Sequence, residues 1–284
     1  MSVVVTGATG HLGRLAVESL LAKGVPAGDI VAGGRSVEKL ADLAERGVRT
    51  ARIDYDDPAT LAEAFKGADK VLLVSGTDFG RRVEQHTAAA RAAQEAGASV
   101  VYTSAPYADT TSLQLAVEHR GTEEAIRALG VPFTFLRNGW YFENYTPQIP
   151  TYLEHGAVLG SAGDGRVSGA PRAEYAEAAA AVLTSEGHEG TVYELGGDSS
   201  FTLAELAASV AKHSGKDVVY TELPVEGLAK VLEGAGLPAP VAAMLADTDR
   251  SIRAGELEVT TGDLSRLIGR PTGSLDDAVA AALA

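Results

Sequence analysis

The sequence predicts an α/β protein: a Rossmann-type doubly wound parallel sheet followed by a smaller C-terminal α/β lobe. Three observations predict it. Short apolar or β-branched runs alternate with helical stretches through the first half of the 284 residues. Gly47, Gly67, Gly97 and Gly130 each stand just past a helical stretch, where left-handed C-caps are expected. The first run, VVVTGATGHLG over residues 3–13, passes straight from strand through glycine turn to helix.

Taken in order, Val3–Thr6 reads as a buried strand, and residues 11–23 as a helix with Leu12, Leu15, Ala16 and Leu20 on one side. Between them Gly7, Gly10 and Gly13 recur at three-residue intervals. Gly7 permits the sharp turn, Gly10 lets backbone approach a pyrophosphate, and Gly13 lets the helix pack closely. Unpaired amides and the helix dipole then favour an anion. Gly7, Ala8, Thr9, Gly10, His11, Leu12 and Gly13 are therefore expected to hold a dinucleotide. The spacing is GxxGxxG, and its strength comes from the strand before it and the helix after it.

Further strands are predicted at Ile30–Gly33, Arg49–Ile53, Lys70–Val74, Ser99–Thr103 and Phe133–Arg137, with helices over 37–46, 58–66, 81–96 and 113–129. Asp57 and Pro58 read as an N-cap and first helical residue. The second half offers an alanine-rich helix over 173–185, a strand Thr191–Leu195, and a helix Thr202–Ser214 with Thr202 and Glu205 at capping-box spacing. A strand Val218–Leu223 and helices over 226–247 and 274–283 complete the pattern. Residues 1–140 are thus read as the nucleotide domain, regaining elements from 170–200. Residues 141–284 are read as a smaller lobe that covers the substrate.

Composition narrows the function. There is no cysteine, hence no disulfide, thiol nucleophile or Cys–zinc site. The formal net charge is −14, with 15 Lys+Arg against 18 Asp+Glu over 1–150 and 9 against 20 over 151–284. Nucleic acid, which needs a basic surface, is not expected as a ligand. No run approaches the roughly 20 apolar residues of a membrane span, and no secretion signal is evident. A cytoplasmic protein without membrane attachment is expected. The oligomeric state is open, a homodimer being compatible.

The second strand ends Ala32-Gly33-Gly34-Arg35-Ser36. No carboxylate stands there to hold a ribose 2′-hydroxyl, and Arg35 is placed for a 2′-phosphate. NADPH is therefore expected, with NADH accepted more weakly. Ser36 is expected to cap the next helix. Asp54 is read either as an acceptor for the adenine amino group or as a member of the turn with Asp56 and Asp57. Ser75, Gly76 and Thr77 follow the fourth strand, where backbone passes close to a cofactor.

Catalytic machinery is harder to find. None of the nine tyrosines has a lysine four residues later, so the Tyr-Lys proton donor of ordinary short-chain reductases is missing. Tyr107 lies in the expected region but has Thr111 at plus four. The six histidines show no metal-ligand spacing. His119, on the helix after the fifth strand, is a candidate beside Tyr107. The segment LRNGWYFEN over 136–144 holds the only tryptophan and both asparagines. Aromatic surface beside amides suits a pocket that stacks a flat ring and fixes its carbonyls. Asn138 is the amide candidate. Phe79, Tyr107, Asn138, Trp140, Tyr141 and Phe142 are the candidate substrate walls.

TGATGHLG, Arg35 and LRNGWYFEN occur together with YTSAPYAD (102–109), EHGAVLGSAGDG (154–165), PRAEYAEAAA (171–180), GHEGTVYELGGDS (187–199) and LIGRPTGSL (267–275). On these the chain resembles the NmrA-like branch of atypical short-chain dehydrogenases, and in particular bacterial type 2 NAD(P)H:quinone oxidoreductases. The resemblance implies NADPH binding and two-electron reduction of quinones without flavin. It also implies that Gly7 to Leu12, Arg35, the segment Gly139, Trp140, Tyr141, Phe142, Glu143 and Asn144, and Arg172 touch or enclose the cofactor. Thr77-Asp78-Phe79 stand where relatives carry a polar pair. Quinone is electrophilic enough to dispense with a strong acid; Tyr107, Asn138 or water then steadies the developing oxyanion. The family also contains redox sensors that bind NADP(H) without turning it over, and the missing Tyr-Lys pair suits that alternative equally.

Overall fold

Val3, Val4 and Val5 are all buried, because the strand they form has a neighbour on each edge and helices over each face. The computed structural model describes residues 1–284. In chain order its elements are β1 (Val3–Val5), α1 (His11–Ala22), β2 (Ile30–Gly34), α2 (Ala41–Glu45), β3 (Arg49–Arg52), α3 (Pro58–Phe65), β4 (Lys70–Leu73), α4 (Arg82–Glu95), β5 (Ser99–Ser104), α5 (Ala116–Leu129) and β6 (Phe133–Asn138). There follow β7 (Trp140–Tyr141), α6 (Ile149–His155), β8 (Ala157–Gly160), β9 (Gly169–Ala170), α7 (Arg172–Thr184), β10 (Val192–Leu195), α8 (Leu203–Ser214), β11 (Val219–Glu222), α9 (Val225–Gly234), α10 (Ala239–Arg253), α11 (Asp263–Ile268) and α12 (Leu275–Leu283).

The chain divides into two units: Met1–Ala108, Glu118–Asn138 and Arg172–Tyr193 form the first, and Asp109–Val117, Gly139–Pro171 and Glu194–Ala284 the second. The first is built on a seven-stranded sheet in the order β10-β6-β5-β4-β1-β2-β3. The pairs from β3 through to β6 are parallel, with Val4 opposite Val31 and Val71. The order reverses between β1 and β4, the switch point at which such sheets take ligands beyond their C-terminal ends. Strand alternation sends Val4, Val71, Val100 and Phe135 to one face, where they pack with Leu61 and Phe65 of α3 and Ala89 and Ala93 of α4. α1 and α7 pack against each other. α1 buries Gly13, Ala16, Val17 and Leu20, the spacing of one helix stripe. α7 buries Tyr175, Ala176, Ala178, Ala179, Ala180, Val182 and Leu183; alanines allow close approach on several sides at once. No helix is long and apolar enough to cross a membrane.

The second unit carries two short parallel ladders, β7 with β9 and β8 with β11. Its core gathers Phe142, Ile149, Val158, Phe201, Leu206, Val210, Ile252 and Val279.

The expected strands of the first unit form, and so do the expected caps other than Ser36. Gly47, Gly67, Gly97 and Gly130 have φ of 87°, 73°, 74° and 68°. Asp57 accepts from the Ala59 amide, and Thr202 and Glu205 close a reciprocal capping box. Three expectations are corrected. The single helix over 226–247 is two, α9 and α10, separated where Gly236 takes φ 97° and Pro238 precedes α10; proline lacks the amide to continue a helix and disfavours helical backbone before it. The helix over 37–46 begins as a 3-10 turn, Val37–Leu40, before α2. Ser36 precedes that turn but its side chain makes no capping bond. β7, β8, β9, α6 and α11 were not anticipated, being two to seven residues long and too short to carry a period.

Candidate active site

The glycine turn is held by its own backbone. Ala8 N–H donates to Gly33 O at 2.8 Å, and Gly10 N–H to Gly7 O at 2.9 Å. Gly7 has φ 61°. A Cβ on Gly13 would lie 2.4 Å from Gly7 O and 2.9 Å from Ala8 N, so the helix rests on the turn itself. α1 begins at His11 with no side-chain cap at Gly10 and no acidic residue in its first turn. Its opening amides thus keep their donors, and its dipole is not neutralised from within. That arrangement fits the pyrophosphate of a dinucleotide.

β2 delivers Arg35 beside this turn. A Cβ on Gly34 would come within 2.7 Å of the Thr9 side chain, so the two segments touch. Arg35 is exposed, and no hydrogen bond or ion pair ties its side chain to the rest of the protein. Asp54 belongs to its turn: Oδ1 accepts from the Asp56 amide at 3.2 Å, and Oδ2 lies 3.5 Å from Arg52 Nη2.

At the switch point the ends of β1 and β4 are locked by groups the sequence reading did not single out. Thr6 Oγ1 accepts from Val74 N–H at 2.9 Å and lies 2.6 Å from the Tyr55 hydroxyl, which donates to Val74 O at 2.7 Å. Burial raises the Tyr55 pKa, keeping the hydroxyl a donor. Beyond β4, Ser75 N–H donates to Thr103 Oγ1 at 2.9 Å. Gly76 N–H donates to His86 Nε2 at 2.9 Å, and Gly76 O accepts from Arg82 Nε at 2.7 Å. Burial first, then the nearby Arg82 charge, lowers the His86 pKa to about 3. The ring is therefore neutral, accepts at Nε2, and carries its proton on Nδ1, 3.1 Å from Thr122 Oγ1. The sequence did hold a signal: Arg82, Gln85 and His86 are polar residues on the buried stripe of α4, which continues through Ala89, Ala90 and Ala93.

Tyr107 follows β5 with φ 49°, the one non-glycine residue in left-handed backbone. Such a conformation costs free energy and gathers at functional sites. Phe79, on the loop after β4, is 48% exposed. Asn138 is buried at the end of β6. Next to it Arg137 and Glu123 form a buried bidentate pair, Nε to Oε1 at 2.9 Å and Nη2 to Oε2 at 2.7 Å, with Ser104 Oγ donating to Glu123 Oε1 at 2.6 Å. His119 is buried, its Nδ1 2.8 Å from the Tyr102 hydroxyl, and burial lowers its pKa to about 3. It sits among core aromatics rather than on an open loop. Arg172 opens α7.

In the second unit, Gly139 N–H donates to Leu195 O at 2.7 Å, and Trp140 and Tyr141 pair with Gly169 and Ala170. Phe142 turns into that unit's core, its ring 6.0 Å from Phe201. Glu143 and Asn144 form a 3-10 turn with Phe142 and are partly exposed. The structure therefore gathers the glycine turn, Arg35 and the 75–77 loop at the C-terminal ends of one sheet. It gives Phe142 and His119 partners within cores.

The NmrA-like family profile matches residues 1–259. The chain is 46% identical over 278 residues to quinone oxidoreductase 2 of Escherichia coli, covering 98% of this chain and 97% of that one. A crystal structure of the NADPH-dependent quinone oxidoreductase of Escherichia coli complexed with NADPH superposes with a TM-score of 0.95, covering 98% and 99% of the two chains. Triphenylmethane reductase of Citrobacter, solved with NADP(H), is 39% identical with a TM-score of 0.93 over 99% and 100% of the two chains. A seven-stranded sheet switched at an uncapped glycine turn, matched end to end by such relatives, establishes that this chain belongs to the NmrA-like family.

Proposed function

We propose that this chain is an oxidoreductase that uses NADPH to reduce quinones to hydroquinones in one two-electron step, without flavin. The observation that carries this reading is the 46% identity to quinone oxidoreductase 2 across 98% of the chain. The geometry supports it. The opening amides of α1 would hold the pyrophosphate, Arg35 the 2′-phosphate, and the 75–77 loop would line the path beyond β4. When bound, NADPH supplies a hydride. The quinone gains that hydride and one proton from water, and leaves as hydroquinone. Tyr107, forced into its backbone conformation, and Asn138, at the end of β6, are our candidates for steadying the oxygen that gains charge. Gly139, Trp140, Tyr141, Glu143, Asn144 and Arg172 are proposed as further cofactor or substrate contacts. Small neutral quinones suit an acidic chain, and the cytoplasm suits a chain without cysteine.

The test is to mix purified protein, NADPH and a panel of quinones with no added flavin, and to follow absorbance of the reduced nicotinamide. Saturable oxidation, with one hydroquinone formed per NADPH consumed, is expected. Tight NADPH binding with no oxidation by any quinone would favour the sensor reading instead.

A further inference from the structure

Gly76 is clamped from both sides by one face of α4. Its N–H goes to His86 Nε2 at 2.9 Å and its carbonyl takes the Arg82 Nε–H at 2.7 Å. Arg82 and His86 are four residues apart, so they stand one above the other at the start of the helix. Nothing inside the protein demands glycine at position 76: its φ is not left-handed, and a Cβ would meet only ordinary contacts at 3.6–3.7 Å.

Arg82 has a second contact. Its guanidinium lies 4.3 Å from the centre of the Phe79 ring, while Phe79 remains 48% exposed. Arg82 itself is 5% exposed, and its Nη1 has no hydrogen-bond partner, the nearest carboxylate oxygen being Glu118 Oε2 at 4.0 Å. Buried guanidinium groups kept for stability alone are normally satisfied on all sides. The far end of the same loop is fixed separately, Gly80 N–H donating to Glu118 Oε1 at 2.8 Å. One buried cation therefore joins the backbone at Gly76 to the exposed ring at Phe79.

We propose that Arg82 and His86 are positioning residues of this site: His86 sets the Gly76 loop against the cofactor, and Arg82 sets both that loop and the Phe79 ring, against which the substrate's flat ring stacks. The proposal rests on the quinone-reductase reading for the identity of that ring. It assigns three different signatures to three side chains. His86 governs the cofactor, Phe79 the substrate, and Arg82 both.

The experiment measures NADPH dissociation by nicotinamide fluorescence, without turnover, and quinone KM at saturating NADPH. His86→Leu is expected to raise the NADPH Kd about tenfold, the size of one lost hydrogen bond, and to leave quinone KM within about twofold. His86→Gln, which keeps an acceptor, recovers most of that loss. Phe79→Ala raises quinone KM about tenfold, as losing an aromatic contact does, at constant NADPH Kd. Arg82→Met raises both. An unchanged NADPH Kd in His86→Leu, no rescue by His86→Gln, or equal shifts in all variants overturns the proposal. Should His86→Leu fail to fold, Phe79→Ala still decides, because an exposed ring can be removed without unfolding the chain; an unchanged quinone KM there overturns the coupling. A wild-type protein that binds NADPH but reduces no quinone defeats the functional reading alone, and the His86 effect on Kd remains to be read on its own.

Discussion

At Gly13 and Gly76 one residue type meets two different demands. Gly13 faces backbone: a methyl there would press on Gly7 O at 2.4 Å. Gly13→Ala should therefore lower Tm and abolish NADPH binding together. Gly76 has room within the protein, so Gly76→Ala should fold with an unchanged Tm and weaken NADPH binding at least severalfold; a matching loss of Tm would mean that the fold, not the ligand, needs the glycine. Arg35, exposed and unpaired, has no role in the protein's own packing. Arg35→Ala should raise the NADPH KM about a hundredfold, the scale of a charge-assisted phosphate contact, and leave the NADH KM nearly unchanged. Equal effects on both cofactors would refute the 2′-phosphate assignment. The glycine turn and Arg35 were legible in the sequence because each has a fixed place relative to a strand end. Tyr55 was not, and Arg82 and His86 were marked only as polar residues on an otherwise apolar helix stripe; the roles of all three depend on which helix or strand end faces them.

Between α5 and the ends of β5 and β6, the buried Arg137–Glu123 pair joins three elements. Removing one partner of such a pair leaves a buried charge uncompensated, at a cost of about 3–5 kcal/mol. Glu123→Ala should lower the urea midpoint accordingly, while Glu123→Leu combined with Arg137→Met should recover most of the loss. A single variant within about 1 kcal/mol of wild type would show the pair to be solvated in practice. Elements bounded by chemical punctuation were readable: Asp57-Pro58 opens α3, the Thr202–Glu205 box opens α8, and Gly130 closes α5. The break between α9 and α10 was equally marked, by Gly236 and Pro238, although the segment 226–247 reads as one helix. Ladders such as β7 with β9 depend on a partner far along the chain, at Trp140 and Gly169, and have no local signature.

Across the whole molecule, the two units respond with opposite sign to a fall in pH from 7 to about 5.5. His86 and His119 in the first unit have pKa values pushed to about 3, against 6.5 in the unfolded chain. Unfolding then takes up two protons, so this unit loses roughly 2–3 kcal/mol per pH unit as pH falls below 6.5. In the second unit, burial raises the Asp249 pKa to about 6 from 3.8, although its carboxylate accepts from Ser161 N–H at 2.7 Å. There the folded state binds the extra proton, and stability rises as pH falls through 6. The only tryptophan, Trp140, lies in the second unit. Between pH 7 and 5.5 its fluorescence melt should hold or rise while the circular dichroism melt of the whole chain falls; a parallel decline of both would contradict the opposite signs. The β-α alternation announced a parallel sheet but not its strand order, and no local pattern marks the return of Arg172–Tyr193 to the first unit. That return has a consequence for synthesis. A nascent chain that has emerged only as far as Asn138 holds six strands with the outer edge of β6 bare and the α7-facing side of α1 uncovered. Open edges of this kind recruit other chains. About fifty-five more residues, through Tyr193, must follow before β10 can cover that edge and α7 that side of α1, and over that interval the growing polypeptide is most open to association with other chains.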